Sequence, residues 1–166
     1  RETRELPVYA LVPIGAGPKL PAPKEGVCAE SPADAAPEWV GRGRMPFPGE
    51  LAPARSRCGS ATAAVGRTGG EIRGGRIAMS ELVRILSALM GRTVRDETGF
   101  TSLFDLQLDF LPDDTTPAIP PPPPGAGITG VSIEQAIRQQ LGLRLQSTRG
   151  PVEVIAIDGV EPPSPN

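Results

Sequence analysis

Histidine is absent from all 166 residues. That removes the side chain most often used as a general base near neutral pH and most often used as a metal ligand. Aromatic residues are scarce, with one Trp, one Tyr and four Phe, so a core built from this chain is aliphatic. Neither sign of charge dominates. The 17 basic and 19 acidic residues leave a net charge of −2, which gives no long-range pull on nucleic acid or anionic lipid. No apolar run approaches the roughly 20 residues that span a bilayer. No secretory leader is visible, and the chain opens on Arg1 rather than Met, as expected of a fragment or a processed product. There is no G-x-S-x-G elbow and no P-loop, and neither cysteine has a histidine to activate it.

Proline (21) and glycine (20) are plentiful, near the level at which low complexity is suspected. They are unevenly spread, which divides the chain into ordered and loose parts. Residues 1–20 hold the β-rich stretch "ELPVYALVPI" and a turn, with Pro7 and Pro13 marking strand limits or an edge position. Residues 21–70 lack sustained periodicity and read as an irregular excursion carrying Cys28 and Cys58. Residues 71–160 read as an α+β module with a proline-rich loop at 111–130, and 161–166 as a tail. The cysteine spacing is not a C-x-x-C redox or zinc pattern. Oxidised, the pair would close a loop of about 30 residues and contribute roughly 3–4 kcal/mol; the alternative is two free thiols.

Within the module, "SELVRILSALMG" places Leu82, Ile85, Leu86 and Leu89 on one stripe, with Ser80 as the expected N-cap and Gly91 closing the helix. "RTVRDETG" reads as a short strand and turn. "SLFDLQLDF" alternates, with Phe104, Leu106, Leu108 and Phe110 on one side and Leu103, Asp105, Gln107 and Asp109 on the other. A second helix begins at Ser132, whose capping-box partner is Gln135. It carries Ile133, Ala136, Ile137 and Leu141 on one face and ends at Gly142. "LRLQST" and "VEVIAIDGV", separated by a turn at Arg149, Gly150 and Pro151, read as two more strands, the last mostly buried. The expected fold class is α+β: a small mixed sheet with two helices on one face, in the order β-α-β-β-α-β-β, preceded by an N-terminal strand and the long excursion.

Each suggestive motif has a plainer reading. "GAGITG" at 125–130 matches G-x-G-x-x-G before a helix, but prolines rather than a strand precede it, so it reads as a hinge. The five prolines at 120–124 favour polyproline II and serve as a spacer, with an aromatic-groove ligand as the alternative. Asp96, Glu97, Asp105, Asp109, Asp113 and Asp114 lack calcium-loop spacing. Asp105 and Asp109 lie on the polar face of a strand, where solvated charge is normal. Asp158 and Gly159 read as a turn. No catalytic residue, cofactor or metal site is assigned.

Several segments together resemble a family of soil-associated proteins of unknown function that is abundant in Acidobacteria. They are "RETRELPVYALV" with "GPKL" at 17–20, "GRTVRDETGF" followed by "FDLQLDF", "IRQQLGLRLQSTRGPVEVIAIDGVEPPSPN", and the two cysteines in the loop. The match spans nearly the whole chain apart from the loops. It departs after the "TG" turn, where the family has Gly-Arg-aromatic and this chain has Thr101, Ser102, Leu103 and Phe104. The resemblance implies that a further N-terminal portion precedes this segment. It also implies export, an oxidising setting and a Cys28–Cys58 bridge. It supplies no catalytic residues. The β-α-β-β-α pattern is also similar to the short N-terminal docking domain of secretins and TonB-dependent receptors.

The expectation is therefore a non-enzymatic module of the periplasm or cell exterior that binds a protein or envelope glycan and not nucleic acid. A partner strand would add to an exposed edge, with "PVYALV" and "VEVIAI" as candidates if the preceding N-terminal portion leaves them uncovered. Two alternatives stand beside it: a sensor or regulatory domain working with a membrane peptidase, and a carboxylate-dependent hydrolase. The sequence leaves the oligomeric state open.

Overall fold

The computed structural model describes residues 1–15, 17–30, 57–66, 69–119, 121–122 and 127–156. The fold is α+β. In chain order the elements are β1 (Glu2–Pro13), β2 (Ala61–Gly66), β3 (Gly69–Ile77), α1 (Met79–Met90), β4 (Val94–Asp96), β5 (Phe104–Phe110), α2 (Ile133–Ala136) and β6 (Leu143–Val154). A π-helical turn, Ile137–Leu141, continues α2. Among the described residues the strands form two three-stranded sheets, β4-β1-β6 and β2-β3-β5, rather than the single sheet expected. The reason lies in β1. Val8, Ala10 and Leu11 are all buried, so this strand needs cover on both faces and neighbours on both edges. The strand that follows each helix fills one edge: β4 runs parallel to β1 and β6 antiparallel.

The apolar stripe of α1 is the one read from periodicity. Leu82, Ile85, Leu86 and Leu89 are buried, joined by Met79 and Met90. The helix starts one residue before the expected cap. Ala78 is the N-cap without a side-chain bond, and Ser80 lies exposed inside the first turn. Burying Met79 favours the earlier start. Both closing glycines adopt the left-handed conformation that L side chains resist, Gly91 at φ 59° and Gly142 at φ 64°. Ser132 caps α2, accepting from the Gln135 N–H at 3.3 Å. Ile133, Ala136, Ile137 and Leu141 join the same core as the α1 stripe, with Phe104, Leu106, Leu108 and Phe110 of β5. Ser87 ties α1 to the first sheet: its hydroxyl accepts from the Val94 N–H at 2.9 Å and donates to the Val83 carbonyl.

Two further expectations are corrected. Residues 143–154 form one strand, not two with a turn between, and the strand pairs with β1 along its whole length. Val152, Val154 and Ala156 are half-buried and Ile155 is exposed, so its C-terminal part is not a buried strand. The excursion at 21–70 contains strand β2, paired with β3. Residues 31–56 and 161–166, with Asp158 and Gly159, lie outside the described residues, as does much of the "GAGITG" and proline-run stretch.

Glu81 joins β2 to α1. Its carboxylate accepts from the Ala61 N–H at 3.1 Å and from the Arg84 guanidinium at 2.8 Å. The Arg84 hydrogen bonds, and secondarily the Ala61 N–H, hold this carboxyl below its ordinary value of 4.5 against the opposing effect of burial. A lowered folded-state value means that the contribution is complete above 4.5 and is lost as pH falls through the folded value. Replacing Glu81 with Gln is therefore expected to flatten the acid limb of a stability–pH profile measured by urea unfolding. An unchanged slope below pH 4.5 would refute this role.

Candidate functional site

The two cysteines form a disulfide, with Cα atoms 4.9 Å apart. It is seated on the second sheet, since a Cβ on Gly75 of β3 would lie 2.6 Å from the Cys28 Cβ. Beside it, Cys58 N–H donates to the Ala29 carbonyl at 3.1 Å and Gly59 N–H to the Gly75 carbonyl at 2.9 Å. Both ends of the excursion are thereby fastened to β3.

Of the six carboxylates singled out from the sequence, three serve separate local roles. Asp105 is the correction: it is 8% exposed rather than solvated. One oxygen accepts from the Lys24 N–H at 2.8 Å and the other from the Arg76 N–H at 3.0 Å. It thus clamps the segment at 21–24 and the irregularity in β3 where Arg76 adopts φ 53°. Asp96 accepts from the Thr98 N–H and hydroxyl, and Asp113 from those of Thr115, closing turns. Asp109, Asp114 and Glu97 are exposed. Among the described residues no three of the metal-ligating types His, Cys, Asp and Glu gather as an ion would require.

The chemistry left over is that of strand edges. Because β1 is the central strand, the candidate "PVYALV" edge is largely covered: Tyr9 to Leu11 pair with β4. The open part lies N-terminal to it, at residues 2–7, where β1 pairs with β6 alone. "VEVIAI" does begin on an edge strand, β6 having no further neighbour among the described residues. Backbone direction alternates along a strand, and the Tyr9 N–H donates to the Thr93 carbonyl at 2.9 Å, toward β4. The odd-numbered residues of β1 therefore aim their polar groups at the β4 side. Thr3 and Glu5 present N–H and C=O to the open edge, and Pro7 presents C=O alone. Pro7 costs no ladder bond there, and by the same parity Pro151, opposite Glu5, faces the outer edge of β6. This explains how two prolines sit inside paired strands.

A shallow, open dent of about 280 Å³ adjoins the end of the open edge, lined by Leu6, Pro7, Gly91, Arg92, Thr93 and Val152. The Arg92 guanidinium lies 4.8 Å from the centre of the Tyr9 ring, which holds it beside the dent. Sequence reasoning missed this feature, because it joins three segments far apart in the chain. The only local sign was Pro7, a proline in an otherwise β-rich run.

No curated protein and no solved structure matches the chain. A family model described as a protein of unknown function, DUF3738, matches residues 1–160. With almost the whole sequence covered, the chain belongs to the DUF3738 family.

Proposed function

We propose that this chain is a non-enzymatic module that works outside the cytoplasm and holds a protein partner by strand addition. The observation that carries the reading is the unpaired stretch of β1 at residues 2–7, whose outward N–H and C=O groups have no strand opposite them among the described residues. A polypeptide satisfies such a row of alternating donors and acceptors, whereas a glycan lacks the matching backbone repeat. This favours a protein over an envelope glycan. The separate structural duties of Asp96, Asp105 and Asp113 favour binding over carboxylate catalysis. The disulfide fits an oxidising compartment.

The test is crosslinked capture from an envelope extract with the full chain and with a variant carrying Thr3→Pro and Glu5→Pro. Those N–H groups make no ladder bond to β6, so the variant is expected to fold. Loss of a specific captured protein in the variant supports the reading, provided that deletion of residues 117–130 leaves capture intact. Equal capture by both forms contradicts it, as does hydrolase activity abolished by Asp109→Asn.

A further inference from the structure

The β1 edge is blocked at one end. Thr93 occupies the line of β4 opposite the start of the buried part of β1, and its carbonyl takes the Tyr9 N–H. An added strand cannot run past this point, so it must end or turn away at the dent. We propose, building on the strand-addition reading, that the edge receives the free carboxyl terminus of a partner polypeptide, running parallel to β1 with its last residue opposite Leu6.

Three features select a terminus and its direction. In a parallel ladder, the residue opposite Leu6 would donate its N–H to the Glu5 carbonyl and would need a donor from residue 7 for its own carbonyl. Residue 7 is Pro7, which has none. A chain passing through would leave that carbonyl unpaired, whereas a terminal carboxylate can turn to another donor. Arg92, which lines the same dent, is exposed and held over Tyr9, and it is that donor. Among the described residues no carboxylate pairs with it. An antiparallel strand would instead bring its N-terminal end toward this guanidinium, a charge mismatch if the partner ended there. Finally, residues directly opposite share a face, so the last side chain lies on the face of Leu6 and Val152, which with Pro7 give the dent its apolar part. The ligand class is an extended C-terminal tail with an aliphatic last residue. Two residues upstream, its carbonyl takes the Glu5 N–H and its N–H reaches the Thr3 carbonyl.

The test uses the full chain and an immobilised set of extended hexapeptides ending in Leu, Val or Ile, each made as the free acid and as the C-terminal amide. At least one free acid is expected to bind, with its amide roughly tenfold or more weaker. Arg92→Ala is expected to reproduce that loss, Arg92→Lys to lie between, and Glu5→Ala to bind like wild type while Glu5→Pro does not. A melting curve for each variant separates loss of binding from loss of fold. Absence of binding by every free acid overturns the proposal. Equal binding of acid and amide that is lost in Glu5→Pro overturns the terminal assignment but leaves strand addition standing. Binding that survives Glu5→Pro overturns both.

Discussion

Reducing Cys28–Cys58, or replacing both residues with Ser, is expected to lower the stability of the fold by about 3–4 kcal/mol. The bridge spans a sequence separation of 30, and most of its effect on the chain-entropy model is to restrict the unfolded ensemble. Its native surroundings add to this. The Cys28 side chain packs on Gly75, where a Cβ would have no room, and the adjoining Ala29, Arg57 and Gly59 backbone is bonded to itself and to β3. Freeing the bridge therefore loosens this fastening together with the ends of the excursion. Urea unfolding with and without reductant reads the effect directly. The reduced form is also expected to show a steeper denaturant dependence, since its unfolded chain exposes more surface. Coincident transitions, with two free thiols confirmed by titration, would contradict the assignment.

Asp105→Ala is expected to cost about 3 kcal/mol. The substitution leaves the Lys24 and Arg76 N–H groups without their acceptor in a part-buried position, and hydrogen bonds to a charged partner contribute about 1.5–3 kcal/mol each. It also releases the backbone at Arg76, held at φ 53° in a region that non-glycine residues seldom occupy. Asp105→Asn keeps one acceptor but aims an NH₂ group at the other N–H, so an intermediate loss of about 1–2 kcal/mol is expected. Asp109→Ala on the same strand should fall within about 0.5 kcal/mol of wild type, because its side chain is exposed. Equal effects at 105 and 109 would mean that Asp105 is not the clamp.

The contrast between these two aspartates marks where sequence reading succeeds and where it stops. Alternation in "FDLQLDF" correctly places Phe104, Leu106, Leu108 and Phe110 in the core. It says nothing of what lies over the other face, and there the segment at 21–24 crosses and buries Asp105 alone. Likewise the 3.6-residue period and the closing glycines locate both helices, since those signals are local. Sheet membership is not local. The strand after each helix joins β1, at the far N-terminal end of the chain, instead of the strand before the helix. The Arg149-Gly150-Pro151 triplet reads as a turn by composition. It remains a strand because Pro151 falls on a ladder position whose N–H faces outward, and Gly150 leaves room for the Arg95 side chain to lie across it. The candidate site depends wholly on these long-range pairings. Its edge, the block at Thr93 and the guanidinium over Tyr9 become visible only when residues 2–7, 91–93 and 152 are brought together.

The open edge of β1 is tested most directly by amide hydrogen exchange on the free protein at single-residue resolution. Leu6 N–H, aimed at β6, is expected to be protected, as is Tyr9 N–H, bonded to Thr93. Glu5 N–H, one residue before Leu6 in the same strand but aimed at the unpaired side, is expected to exchange freely and to slow only when a binding tail is added. Protection of Glu5 equal to that of Leu6 in the free protein would mean that the edge is already occupied, and the binding reading would fail with it.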